Sequence, residues 1–139
     1  MARVLVTDDA AFMRMMIRNI LTQHGHEVVG EAENGVDAVQ QYAALGPDVC
    51  TMDITMPLKD GIEALKEILL SDPAARVVMC SALGQETKVI ESIRAGARDF
   101  VGSRIAGAAT LDRDHRDFLL ESLDERAQAD LRVHEPIGE

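Results

Sequence analysis

The sequence predicts an α/β domain of the (βα)5 type, with a doubly wound parallel sheet between layers of helices. Five short apolar runs recur at similar intervals: RVLVT, EVVGEA, DVCTM, RVVMCS and DFVG. Their hydrophobicity is continuous rather than alternating, which is typical of strands that are buried on both faces of a parallel sheet. The segments between them carry apolar residues at helical spacing. These segments are AAFMRMMIRNILTQH, GVDAVQQYAAL, GIEALKEILLSD and QETKVIESIRAG.

Glycine and proline residues mark the predicted helix ends. Gly25 follows the first helix, Gly46-Pro47 the second, Asp72-Pro73 the third and Gly96 the fourth. Glycines just past a helix end and prolines that stop helices are the common C-terminal signals. Asn34 is predicted to cap the second helix. The crossovers of such a βα repeat are expected to be right-handed.

The chain changes character after the fifth apolar run. We expect one domain over residues 1–139, with a core at 1–101, a loop or hinge at 102–110, a long amphipathic fifth helix at 111–132 and a frayed tail at 133–139. The apolar stripe of the fifth helix consists of Leu111, His115, Phe118, Leu119, Ser122, Leu123, Ala127 and Leu131. Packing of this helix on its own sheet predicts a monomer. A hinge at the small-residue run would instead allow a domain-swapped dimer.

Composition narrows the function classes. The net charge is −10 and aromatic residues make up 3% of the chain. Nucleic-acid binding is therefore not expected, because it needs clustered cations or aromatic stacking platforms. The sequence contains no apolar run of the ~18–20 residues that span a membrane and no signal-peptide pattern, which predicts a cytoplasmic protein. Cys50 and Cys80 lie in apolar runs and are predicted to be buried thiols.

Acidic and hydroxyl side chains follow the predicted strands. Asp8 and Asp9 come after the first strand, Asp53 after the third and Ser81 after the fourth. In a doubly wound sheet, ligands bind at the carboxyl ends of the strands. Three carboxylates at one edge repel one another unless a cation is present. Oxygen ligands of this kind suit Mg²⁺ and leave room for a phosphate.

Each of these residues also has a purely structural explanation. Asp8 and Asp9 can cap the following helix, and the Ser81 hydroxyl can bond to nearby backbone. Asp53 is harder to explain in this way, because it ends a buried strand and faces a Pro/Gly loop. Their combination at three strand ends favours a metal and phosphoryl site.

The motifs resemble the receiver domain of bacterial response regulators, in particular the single-domain CheY-like chemotaxis regulators. The resemblance covers residues 2–101 and rests on VLVTDDAAFMRMMIRNIL, EAENGVDAV, PDVCTMDITMPLKDGIEALKEI, VVMCSALGQE and IRAGARDFV. It implies the flavodoxin-like strand order 2-1-3-4-5. It also implies a two-component signalling protein that is not a classical enzyme, with at most self-catalysed phosphotransfer and dephosphorylation.

The resemblance further implies a role for each matching residue. Asp53 would accept the phosphoryl group from a phosphohistidine of a histidine kinase or its phosphotransfer domain. Asp9 would bind Mg²⁺ directly, Asp8 would act through water, and the backbone carbonyl of Thr55 would complete the metal site. Ser81 would hydrogen-bond the phosphoryl oxygens. Phe100 would be the aromatic residue whose rotamer changes on activation. A flagellar switch protein and a phosphatase protein are the implied downstream partners.

The end of the fifth strand departs from the family pattern. The family has a Lys followed by a Pro, whereas this chain has Ser103 and Arg104. A serine hydroxyl cannot replace the ammonium charge. Three interpretations remain open: Arg104 substitutes for the Lys, the receiver is degenerate, or the segment after Val101 is foreign to the domain through engineering, recombination or a frameshift. The alternative function is a phosphorylation-independent binding or oligomerising module.

An enzymatic alternative fits the sequence less well. Phosphatases of the haloacid-dehalogenase type also use an aspartyl phosphate and Mg²⁺, but their nucleophile lies in a D-x-D motif at the first strand. In this chain Asp8 and Asp9 are adjacent. The sequence therefore favours the receiver.

Overall fold

The computed structural model describes residues 1–82, 86–97 and 99–103. Strands and helices alternate throughout this part of the chain. The strands are β1 (Arg3–Thr7), β2 (Glu27–Ala32), β3 (Val49–Asp53), β4 (Val77–Ala82) and β5 (Asp99–Ser103). The helices are α1 (Ala11–Gln23), α2 (Gly35–Leu45), α3 (Gly61–Ser71) and α4 (Glu86–Ala95).

The five strands form one parallel sheet in the order β2-β1-β3-β4-β5. This order confirms the predicted α/β fold. Strand β1 lies between β2 and β3, so the chain leaves β1 towards one side of the sheet and later returns to its other side. The carboxyl ends of β1 and β3 therefore border the crevice at which doubly wound sheets bind ligands.

The two faces of the sheet bury separate apolar clusters. Successive strand residues point to opposite faces, so Leu5 packs with residues of α2 and α3 on one face, while Val4 and Val6 pack with residues of α1 on the other. All three side chains are fully buried. Each buried Val or Leu stabilises the fold by roughly 1.5–3 kcal/mol, and the continuous apolar runs follow from burial on both faces.

The helix ends follow the signals in the sequence. The Asn34 side chain accepts a hydrogen bond from the Asp37 N–H at 2.8 Å, which confirms the predicted cap of α2. Gly25, Gly46 and Gly96 have positive φ angles of 86°, 55° and 113°, as expected for residues that end helices. Helix α3 begins with a capping box that sequence inspection missed, formed by Asp60 and Glu63.

The two cysteines are free thiols, as predicted. Cys50 is buried, and burial raises the pKa of its thiol to about 12. Cys80 is partly buried, and desolvation also raises its pKa, with a further contribution from the nearby Asp53 carboxylate. Thiols held protonated in this way are weak nucleophiles.

Strand β5 includes Gly102 and Ser103, the first two residues of the predicted loop or hinge at 102–110, so the strand ends later than predicted. The rest of that segment, the fifth helix at 111–132 and the tail at 133–139 lie outside the described residues. Their packing and the choice between monomer and swapped dimer stay predictions. Among the helices in the described ranges, none has the length and apolar character needed to cross a membrane.

Gly61 lets α3 pack tightly against the end of β3. Its N–H donates to the carbonyl oxygen of Ile54 at 2.7 Å. A Cβ atom at this position would lie 2.0 Å from the carbonyl oxygen of Asp53. Only glycine allows so close an approach, because the contact is with backbone that cannot rotate away.

We expect Gly61→Ala to lower the free energy of unfolding by about 3 kcal/mol, at the upper end of the range for overpacking. Chemical denaturation at constant pH measures this change. Gly25→Ala is the control for backbone strain alone, because Gly25 has a positive φ but nothing within 4 Å of its Cβ direction. It should cost about 1 kcal/mol. Equal losses for the two variants would contradict a steric role for Gly61.

Candidate functional site

Asp8, Asp9 and Asp53 form a cluster at the carboxyl edge of the sheet. One carboxylate oxygen from each residue lies within 4.8 Å of the others. Asp8 and Asp9 follow β1 directly, and Asp53 is the last residue of β3. The two strands pair side by side, with Thr7 opposite Met52. The structure therefore brings together the acidic residues that the strand pattern predicted.

Asp8 is held by hydrogen bonds at three points. Its N–H donates to the carbonyl oxygen of Ala32 at 3.0 Å, and its own carbonyl oxygen accepts from Arg14 Nη1 at 2.7 Å. Its Oδ1 accepts from the Ala10 N–H at 2.9 Å. The residue is 6% exposed. This geometry fixes the turn that carries the acidic pair.

Neither Asp8 nor Asp9 is the N-cap residue of α1. The N-cap residue is Ala10, and α1 has no side-chain cap hydrogen bond. The carboxylates of Asp8 and Asp9 instead lie in the cluster with Asp53. A helix cap is therefore not sufficient to explain why this turn contains two aspartates.

Asp53 is positioned by its strand and by the loop after it. The N–H of Ile54 donates to the carbonyl oxygen of Cys80 at 3.2 Å, which ties the end of β3 to β4. The backbone N–H of Thr55 donates to the Asp53 carboxylate. The Asp53 side chain remains partly exposed, so a ligand can reach it.

Crowding and burial disfavour the charged forms of these acids. Burial is the largest cause that raises the pKa of Asp53 from 3.8 to about 8, followed by the charge of Asp8 and a hydrogen bond with Asp9. Burial likewise raises the pKa of Asp8 to about 6, against the lowering effect of the Ala10 N–H. A divalent cation would reverse this effect, because it stabilises all the carboxylates in their ionised form. The donors are all oxygens, which fits Mg²⁺.

The backbone register places the other predicted positions at the same end of the sheet. Cys80 lies opposite Asp53, the predicted phosphoryl acceptor. Ser81 therefore lies one residue closer to the carboxyl end of β4. On β5, Phe100 lies opposite Met79, and Ser103 is the final strand residue, opposite Ala82. The side chains of Ser81, Phe100 and Ser103 lie outside the described set, as does Arg104. Their roles stay predictions.

Sequence inspection missed Arg14 and Glu31. Arg14 Nε donates to Glu31 Oε1 at 3.2 Å, while its Nη1 bonds to the carbonyl oxygen of Asp8. The only signal in the sequence was a single cation within the otherwise apolar stretch AFMRMMI. Helical spacing alone does not show that this side chain turns back towards the acidic turn.

Comparison with known proteins places this geometry in a family. Residues 4–111 match the model of the response regulator receiver domain. The chemotaxis protein CheY of Thermotoga maritima is 59% identical over 99 residues, which are 71% of this chain and 82% of that protein. The chemotaxis protein CheY of Bacillus subtilis is 61% identical over 99 residues, with the same coverage of 71% and 82%.

Solved structures agree with these sequence matches. The response regulator domain of Thermotoga maritima CheB has a TM-score of 0.76 and 42% identity, covering 91% of this chain and 94% of that one. CheY in the CheX–CheY–BeF₃–Mg complex of Borrelia burgdorferi has a TM-score of 0.76 and 33% identity, covering 88% of this chain and 87% of that one. The sheet order, the acidic cluster and these matches lead to one conclusion: the chain belongs to the family of response regulator receiver domains.

Proposed function

We propose that this CheY-like receiver accepts a phosphoryl group at Asp53 from a histidine kinase or its phosphotransfer domain, with Mg²⁺ as cofactor. The observation that carries the proposal is the carboxylate cluster at the ends of β1 and β3, in which burial and like charge raise the pKa of Asp8 and Asp53. A related CheY crystallised with BeF₃ and Mg supports it.

The proposed reaction is a transfer between two side chains. An Asp53 carboxylate oxygen attacks the phosphorus of a phosphohistidine, the P–N bond breaks, and the imidazole leaves and takes up a proton. Only an ionised carboxylate can attack, so the site must keep Asp53 deprotonated despite its burial. Bound Mg²⁺ supplies positive charge that stabilises the carboxylate and the phosphoryl oxygens.

The metal ligands in this proposal come from the acidic cluster and the loop after β3. Asp9 and Asp53 bind Mg²⁺ directly, Asp8 acts through water, and the Thr55 carbonyl completes the protein ligands. The donor set fits the preference of Mg²⁺ for one or two carboxylates together with water. The turn is already ordered by the hydrogen bonds of Asp8, so little rearrangement is needed.

The response to phosphorylation passes through β4 and β5 in this proposal. Ser81 donates a hydrogen bond to a phosphoryl oxygen, and the loop after β4 moves with it. Phe100, on the neighbouring strand, then changes rotamer. The pairing of β4 with β5 supports this coupling, because Ser81 and Gly102 are direct neighbours across the two strands. Phosphorylation adds about −1.5 to −2 charge, which drives the new contacts.

The partners follow from the same similarity. A chemotaxis kinase is the proposed phosphodonor, and a flagellar switch protein and a phosphatase are the proposed readers. If the residue at 103 weakens phosphorylation, the alternative is a phosphorylation-independent binding or oligomerising module. The observation that favours this alternative is Ser103 at the last position of β5, where the family has a lysine.

Titration with Mg²⁺ and beryllofluoride tests the proposed site. We expect metal-dependent amide NMR shifts at Asp9, Asp53 and Thr55, and further shifts when beryllofluoride is added. Asp53→Asn should abolish the beryllofluoride response, because the acceptor oxygen is lost. Glu27→Gln removes an exposed carboxylate from the start of β2 and should leave both responses unchanged. Absence of metal-dependent shifts in the parent chain would contradict the proposal.

We expect the metal-free protein to lose stability as the pH rises. The folded-state pKa values of Asp8 and Asp53, about 6 and about 8, lie above the ordinary value of 3.8. The stability that these groups contribute is therefore fully present below about pH 3.8 and is lost as the pH rises through 6 and 8. Thermal unfolding between pH 5 and pH 9 measures the loss.

Two matched conditions identify the cause of this pH dependence. Asp53→Asn should raise the melting temperature at pH 8 and flatten the dependence, because an amide does not ionise. Mg²⁺ should restore the melting temperature of the parent chain at the same pH. Parallel pH profiles for the parent chain and Asp53→Asn would show that the Asp53 charge does not destabilise the fold.

Ser103→Lys should strengthen the response to beryllofluoride. The new ammonium would supply the fixed cation that the family places at this position. Ser71→Lys adds the same charge at the exposed end of α3 and serves as the control. We expect half-saturation at a several-fold lower beryllofluoride concentration for Ser103→Lys only. An unchanged value would mean that the end of β5 does not face the site.

A further inference from the structure

Arg14 connects three separate parts of the chain. It closes the first turn of α1, its Nη1 donates to the carbonyl oxygen of Asp8 at 2.7 Å, and its Nε donates to Glu31 of β2 at 3.2 Å. The side chain is only 16% exposed. Hydrogen bonds from a guanidinium are charge-assisted, and they hold geometry better when water is largely excluded.

The bond to Asp8 acts on the peptide that links the acidic pair. The carbonyl of Asp8 and the N–H of Asp9 belong to the same planar peptide unit. When Arg14 fixes the direction of that carbonyl, it also fixes the direction in which the chain enters Asp9. The Asp8 Oδ1 bond to the Ala10 N–H closes a turn around the same peptide, and the Asp8 N–H bond to Ala32 ties the turn to β2. Arg14 adds the bond to the carbonyl oxygen of this peptide.

We propose that Arg14 is a positioning residue for the Asp8–Asp9 turn, which keeps the carboxylates in the arrangement that binds Mg²⁺. This inference rests on the proposed function, because the metal site belongs to it. Arg14 itself bonds to the backbone carbonyl of the turn. It acts through Asp8 and Asp9.

Charge alone would give the opposite effect on metal binding. A guanidinium close to the carboxylates repels a divalent cation. If only this repulsion mattered, removal of the guanidinium should tighten Mg²⁺ binding. Loss of the positioning bond should weaken Mg²⁺ binding instead. The sign of the change in affinity therefore distinguishes the two effects.

Arg18 provides a matched control on the same helix. It lies one turn beyond Arg14 and pairs with the same Glu31 carboxylate. The side chain of Arg18 is 49% exposed. The Asp8 carbonyl accepts its hydrogen bond from Arg14, so replacing Arg18 keeps that bond. Replacing Arg18 removes a cation and one ion pair but leaves the acidic turn in place.

The experiment compares Arg14→Met, Arg14→Lys and Arg18→Met in the full chain. We expect Arg14→Met to weaken Mg²⁺ affinity about tenfold or more, as is typical when an outer-shell partner of a metal site is lost. Arg14→Lys keeps the charge but has one donor group in place of the planar fork, so its affinity should fall between those of Arg14→Met and the parent. Arg18→Met should stay within about twofold of the parent, as expected for an exposed ion pair.

A second readout needs no metal. Amide hydrogen exchange of the metal-free proteins should be faster at Asp8 and Ala10 in Arg14→Met. The Asp8 N–H donates to Ala32 of β2 and the Ala10 N–H donates to the Asp8 carboxylate, so both bonds depend on the position of the turn that Arg14 holds. Exchange within β1 should not change. Arg18→Met should match the parent at both amides.

The outcomes separate this inference from the proposed function. Unchanged or tighter Mg²⁺ binding by Arg14→Met, or unchanged exchange at Asp8 and Ala10, would overturn the positioning role. A parent chain that shows no Mg²⁺-dependent shifts would overturn the proposed function, and the exchange measurement would still decide whether Arg14 holds the turn.

Discussion

The repulsion among three neighbouring carboxylates is the main constraint on the structure at the carboxyl ends of β1 and β3. Parallel pairing of β1 with β3 brings Asp8 and Asp9 next to Asp53, within 4.8 Å. Partial burial increases the free energy of the charged forms, as the raised pKa values of Asp8 and Asp53 show. The rest of the fold must hold these groups together against their repulsion. It does so with backbone hydrogen bonds and with the close packing of Gly61 against β3.

The distribution of cations explains why the site is suited to a metal. Arg14 bonds to the backbone and to Glu31, and it lowers the pKa of Asp8 only as a minor contribution. Lys59, in the loop after β3, pairs with Glu67 of α3. Ser103, where the resemblance predicts a lysine, is the last residue of β5. Arg14 and Lys59 are therefore bonded to groups outside the carboxylate cluster, and a divalent cation would neutralise the charge of the cluster.

Much of the fold could be predicted because a parallel sheet buries both faces of its strands. RVLVT and EVVGEA coincide with β1 and β2, and the other apolar runs agree with β3, β4 and β5 to within one residue at each end. The acidic cluster could be predicted for a related reason, since parallel strands end at the same edge. The capping box of α3 was missed although Asp60 and Glu63 have the required spacing. The bond from Arg14 to Asp8 could not be predicted, because a helical arginine can reach several neighbours.

The sequence by itself determined the order of the elements and the identity of the acids at the strand ends, because these depend on local hydrophobicity and on residue type. Tertiary structure decided which groups meet. It placed one oxygen of each of three carboxylates within 4.8 Å of the others, made Ala10 rather than an aspartate the N-cap residue of α1, and turned Arg14 towards the acidic turn. The reason is that these contacts join residues from different strands and helices, and their distances are fixed only when the sheet and α1 pack together.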